Sequence, residues 1–146
     1  MPVAVDEQTA KTRIVLLLPL PPKELSPNAR LHHFTKAAYT LEYRTEVRML
    51  AYHNDLLQVY RDSGLIPKRA RLTETYRIAG KRKRDVRNLF AAFKAGEDGL
   101  VDAGILPGDD DSVLEHGAPK IERVTSKKDE CVVVEIEEIP LLPYES

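Results

Sequence analysis

The chain is short of cysteine, of net charge and of long apolar runs, and each shortage removes a class of protein. A single cysteine, Cys131, stands in an apolar stretch of the 146 residues. That excludes a disulfide framework and a Cys-rich zinc site, and makes a reducing cytosol the default. The longest apolar stretch, Ile14 to Leu20, is far below the roughly 20 residues that a membrane helix needs, and it runs into prolines. Asp6 and Glu7 occupy the region where a secretory leader would carry positive charge. No repeat, low-complexity tract or glycine-rich phosphate loop occurs. Neither Ser112 nor Cys131 has a base close in sequence, which leaves nucleophilic catalysis without support. The expectation is one cytoplasmic domain with no membrane partner.

What is present is charge of both signs, kept apart. The 22 basic and 23 acidic residues leave a net charge of -1, yet Lys68, Arg69, Arg71, Arg77, Lys81, Arg82, Lys83, Arg84 and Arg87 crowd one stretch. Asp109, Asp110, Asp111 and the glutamates from Glu130 onward weight the rest. Near-neutrality of the sum therefore does not exclude a polyanionic partner.

Hydrophobic patterning predicts a mixed α/β domain of α+β type, a small mixed sheet packed against two main helices. Arg13 to Leu18 reads as a buried strand stopped by Pro19, Pro21 and Pro22. Phe34 to about Tyr60 reads as one long amphipathic helix ended by Gly64 and Pro67, with His53 on its solvated face. Ala70 to Ile78 alternates Leu72, Tyr76 and Ile78 with polar residues, which suits a strand. Asp85 stands at an N-cap position before a second helix that carries Val86, Leu89, Phe90, Phe93, Leu100 and Val101 and is closed by Gly104. Gly96 and Gly99 weaken that helix by about 1 kcal/mol each. His116 falls in a turn, and Lys120 to Val124 with Cys131 to Ile139 form a hairpin. Residues 13–140 are expected to be the domain, with loose tails at 1–12 and 141–146.

The segment from Lys81 to Val113, KRKRDVRNLFAAFKAGEDGLVDAGILPGDDDSV, carries most of the chemistry. A basic cluster, an acid at a helix start and a second acidic cluster are what phosphodiester hydrolysis requires: cations for the backbone and carboxylates for a hard divalent ion. On a continuous helix, Arg87, Ala91, Lys94 and Asp98 share one face. Each part also has a plainer role. KRKR and DDD suit solvated turns, Asp85 an N-cap, and Lys94 with Asp98 a surface pair. His32 and His33 lack the spacing of a helical zinc pair.

This segment, with PLPPKELSPNARLHHFTKAAY near the start, resembles the RusA-like Holliday-junction resolvases of phages and prophages, from about Arg13 to Ile139. The resemblance implies a small homodimeric, Mg²⁺-dependent endodeoxyribonuclease, with Mn²⁺ as a possible substitute. Such an enzyme makes paired nicks in four-way branched DNA inside a bacterial or phage-infected cell. Arg84, Asp85 and Asn88 match the family's first element, Lys94 its lysine, Asp98, Gly99 and Leu100 the next, then Ala103 and Gly104. Asp109 and Asp110 match the acidic pair, with Asp111 leaving the register open by one residue and Asp110 preferred. The implied catalytic residues are Asp85, Lys94 and Asp110, and the implied metal ligands are Asp85, Asp98, Asp109 and Asp110. The implied DNA contacts are Asn28, Arg30, Lys36, Arg82, Lys83, Arg84, Arg87 and Asn88. Arg87 stands where the family has its second core aspartate. A cation about 5 Å from a unit charge, at an effective dielectric near 20, is worth roughly 3 kcal/mol, so this position bears directly on metal affinity.

Overall fold

Alternation along two strands builds the core. In the computed structural model, which describes residues 3–6, 11–81 and 83–143, strand β2 (Lys11–Leu18) buries Thr12, Ile14, Leu16 and Leu18 on one face. Strand β3 (Ala70–Ala79) buries every second residue from Ala70 to Ile78. The remaining elements are β1 (Val3–Asp6), α1 (His33–Tyr52), α2 (Asp55–Asp62), α3 (Val86–Ala92), α4 (Lys94–Asp102), β4 (Leu114–His116), β5 (Lys120–Val124) and β6 (Cys131–Glu138). One mixed sheet runs β1-β2-β6-β3-β4, with β5 also paired to β3. The expected mixed α+β class is what the structure has.

The expected hairpin does not form. β5 pairs parallel to β3 while β6 pairs antiparallel to it, so Tyr76 stands opposite both Ile121 and Val132. Composition explains the separation. The consecutive buried Val132, Val133 and Val134 suit a strand with neighbours on both sides, and β6 lies between β2 and β3. β5 is largely exposed and serves as an edge.

Both long helices break. α1 ends at Tyr52, with His53 as its C-cap and not on a helix face, and Asn54 accepts the Leu57 N–H at 2.9 Å to start α2. An asparagine that can bond the backbone ahead of it favours restarting a helix over continuing one. The second helix breaks at Phe93, which ends α3 and opens α4. Phe93 is buried with its ring over Gly96, where an added Cβ would meet the ring at 2.7 Å. At Gly99 a Cβ would lie 2.5 Å from the Arg44 carbonyl oxygen. The two glycines that weaken the helix are thus the places where a ring and the α1 backbone come close. Arg44 also clasps Asp102 through two bonds of 2.6 and 2.9 Å, tying α1 to α4.

The amino-terminal boundary differs as well. β2 begins at Lys11 and not at Arg13, and Val3–Asp6 pairs with Lys11–Ile14, because the Val3 and Val5 positions extend the sheet by one more edge strand. The rest of the expected tails, residues 1, 2, 7–10 and 144–146, lies outside the described residues. Among the described residues no helix is long and apolar enough to cross a membrane.

Two clefts on either side of a short helix

α3 starts where Asp85 accepts the Arg87 N–H at 2.9 Å, so the plain N-cap role of Asp85 is realised. One flank of the helix lines a cleft of about 630 Å³. Its other wall is the loop after β2, with Ser26, Asn28, Ala29 and Leu31, and the start of α3 with the loop before it brings Lys83, Arg84, Asp85 and Asn88 to it. After the prolines this loop turns twice, in a 3-10 turn at Lys23–Leu25 and through the Ala29 N–H donated to the Ser26 carbonyl. Arg30, Lys36, Lys83 and Arg84 make no ion pair with a described residue. Arg82 lies outside the described residues. The groove also contains Glu24 and Asp85. Arg87 folds back on Asp85, with its guanidinium at 3.3 and 3.4 Å from the carboxylate. The Arg87 side chain, and then its backbone N–H, hold the Asp85 carboxyl below the usual carboxylate range.

The other flank, Phe90 and Ala91 continuing into Phe93 and Lys94, lines a second cleft of about 400 Å³ with Glu97, Asp109 and His116. Here Lys94 Nζ lies 2.8 Å from Glu97, 3.3 Å from Asp98 and 3.1 Å from Asp109. Burial works against the ammonium, but hydrogen bonds to Glu97 and Asp109 outweigh it and raise the Lys94 pKa. The same ammonium, as a hydrogen-bond donor, lowers that of Asp109. The other oxygen of Glu97 meets His116 Nε2, and the His116 ring stands edge-on to Phe90. Glu74 forms part of the lining. Only 2% exposed, it accepts the Tyr76 hydroxyl at 2.5 Å. Burial, with a smaller push from Glu97 and against the Tyr76 bond, raises its carboxyl to about 7.

Lys94, Asp98 and Asp109 are therefore brought together. Asp85 is not with them, since it faces the groove across α3 and is closed by Arg87. Asp110 is turned to the Ser112 N–H at 2.8 Å, which keeps its carboxyl low. The single helix face from Arg87 to Asp98 ends at the Phe93 break, although Lys94 and Asp98 keep their contact. His116 sits in β4 and not in a turn, because β4 pairs parallel to β3 with His116 opposite Leu72.

The sequence reading missed Glu97, Glu74 and His116. For Glu74 a signal existed, since it falls on the same period-two face as Leu72, Tyr76 and Ile78. Glu97 stands three residues after Lys94, a helical neighbour. His116 had no such local signal.

Among the described residues no group of three or more His, Cys, Asp or Glu converges to hold a metal ion. Mg²⁺ asks for less: one or two carboxylates, with waters and phosphate oxygens completing its shell. Asp98 and Asp109, both within reach of one ammonium, meet that requirement. Asp85 lies in the other cleft with Arg87 on its carboxylate, and Asp110 accepts the Ser112 N–H.

No protein-family model and no curated protein matches the chain.

Proposed function

We propose that the chain is a RusA-like endodeoxyribonuclease that resolves four-way DNA junctions, holding phosphates in the basic groove and hydrolysing a phosphodiester in the neighbouring acidic cleft. One observation carries this reading. A helix of seven residues separates cations that pair with no described residue from carboxylates gathered on a lysine. Cations left over by the protein suit a polyanion, and oxygen ligands beside them suit a hard ion on the same phosphate.

Asp98 and Asp109 would hold Mg²⁺, or Mn²⁺ in its place. When bound, the ion supplies Lewis-acid polarisation of the phosphate and a more acidic water. Lys94 neutralises charge that develops on the phosphate, exchanging a carboxylate partner for a phosphate oxygen. Lys83, Arg84 and Asn88 orient the backbone, and arginine does so with two parallel donors. Two such sites related by the two-fold axis of a homodimer would match a four-way junction and give paired nicks. The setting would be the cytoplasm of a bacterium or a phage-infected host.

A second reading, junction binding without cleavage, is favoured by the Arg87–Asp85 pair, since a guanidinium occupies a carboxylate that the family uses for metal. Cleavage of a mobile four-way junction in Mg²⁺ separates the two. The nuclease reading expects paired nicks from wild type and their loss in Asp109→Asn. Salt-sensitive binding with no nicks, and cleavage gained in Arg87→Asp, would instead establish the second. Equal products from wild type and Asp109→Asn would sink the acidic-cleft assignment.

A further inference from the structure

At the rim of the basic groove the chain leaves three aromatic rings in water. His32, His33 and Phe34 are consecutive and exposed where α1 begins, with His32 stacked on His33 and Phe34 tilted against both. The ring centroids of His32 and His33 are 4.4 Å apart at an interplanar angle of 28°. Those of His33 and Phe34 are 4.1 Å apart, and those of His32 and Phe34 5.2 Å. His32 Nδ1 accepts the Phe34 backbone N–H at 3.3 Å, which pins the first ring to the helix start.

Neither packing nor capping accounts for the whole arrangement. Of the three phenylalanines, Phe93 is buried and Phe90 half-buried, while Phe34 is 70% exposed. The cap uses only His32. Exposed apolar area of this kind marks a binding surface when its surroundings agree. Here they do, because the preceding residues Ala29 and Leu31 line the groove that holds Lys83 and Arg84. Arg30 and Lys36 flank the rings in sequence, and none of these four cations is paired with a described residue.

An aromatic face among unpaired cations suits one chemistry above others, a base stacked on the ring with its phosphates held alongside. A base inside a duplex is already stacked on its neighbours and has no free face to offer. We propose that His32, His33 and Phe34 form a stacking platform for a nucleotide that unpairs at the branch point of the DNA, with Lys83 and Arg84 holding the adjoining phosphates. The proposal rests on the DNA-binding reading above and adds what tells a branch from plain duplex. Stacking on a protein aromatic is worth about 1–3 kcal/mol per base, which is about 5- to 150-fold in affinity.

The chain contains no tryptophan, so the Phe34→Trp variant carries a single indole reporter on the platform. Titration of this variant with a forked DNA should quench the indole emission, and a blunt duplex of the same phosphate concentration should not. Phe34→Ala should weaken fork binding by at least about 5-fold and leave duplex affinity unchanged. Equal losses on fork and duplex, or fork binding without any change in indole emission, would overturn the platform while the DNA-binding reading stands. A shift of that emission with protein concentration in the absence of DNA would mean that a second copy covers the rings, and the platform would fall. If wild type binds neither DNA at low salt, both readings fall.

Discussion

The two flanks of α3 hold similar kinds of charge and use it in opposite ways. On the Asp85 flank, Lys83 and Arg84 are exposed and paired with no described residue, and the ion pair of Arg87 with Asp85 is a surface contact at 88% and 41% side-chain exposure. Such a pair is screened by water and adds little to stability. On the Lys94 flank the charges have partners inside the protein, and Glu97 is buried between a lysine and a histidine. Burial makes the difference, because a charge in water costs little when alone, whereas a carboxylate under a helix needs its cation. The first flank is therefore open to an outside anion, while the second is preset and admits a ligand only by exchanging partners.

The largest effect that would test this contrast is chemical. Lys94→Met should lower cleavage of a four-way junction by about 100-fold or more and leave junction affinity nearly unchanged, since the proposed phosphate contacts lie on the other flank. Gel-shift and single-turnover assays on the same variant check it. Loss of binding in step with loss of cleavage would mean that the flanks act as one site.

The next effect is on stability. Glu74 has a folded pKa of about 7 against an ordinary 4.5, so between those values the folded state holds more protons than the unfolded one. Stability should fall as pH rises from about 4.5 to about 7 and level off above, a loss of about 3 kcal/mol from this group. Glu74→Gln keeps an acceptor for Tyr76 and should remove that loss, leaving the variant more stable at pH 8 and little changed at pH 4.5. Urea unfolding at the two pH values measures it, and a wild type whose stability does not change with pH would refute a buried, protonated Glu74.

The smallest effect sharpens the open flank. Lys83→Ala and Arg84→Ala should each weaken DNA binding and reduce the slope of log affinity against log salt by about 1. Slopes from fluorescence anisotropy over a salt series decide it. An unchanged slope would remove these two side chains from the phosphate contacts.

Much of the fold was legible because its signals are local. The apolar run from Ile14 to Leu18 stopped by prolines, the Asp85 cap and the stop at Gly104 depend on neighbours within a few residues. The helix breaks were harder to read. Phe34 to Tyr60 keeps its apolar spacing across Asn54, and only the backbone bond from Leu57 shows that the helix restarts. At Phe93 the ring is buried edge-on to Tyr43 of α1, a contact far apart in sequence. The hairpin expectation failed because turn residues at 126–129 say where the chain bends, while the edge it joins depends on the strands already in place.

For the candidate site, the sequence by itself determined which residue types lie near one another along the chain: the basic loop, Asp85 at a helix start, Lys94 with Asp98, and the aspartates after Pro107. Their spacing is covalent and helical, so no long-range information is needed. Only the tertiary structure decided which of them meet. Parallel pairing of β4 with β3 brings His116 to Glu97, and Asp109 reaches back to Lys94 across fifteen residues. Asp85, at the start of α3, lines the groove on the other flank. Those outcomes depend on how buried surfaces pack, and no local pattern encodes that.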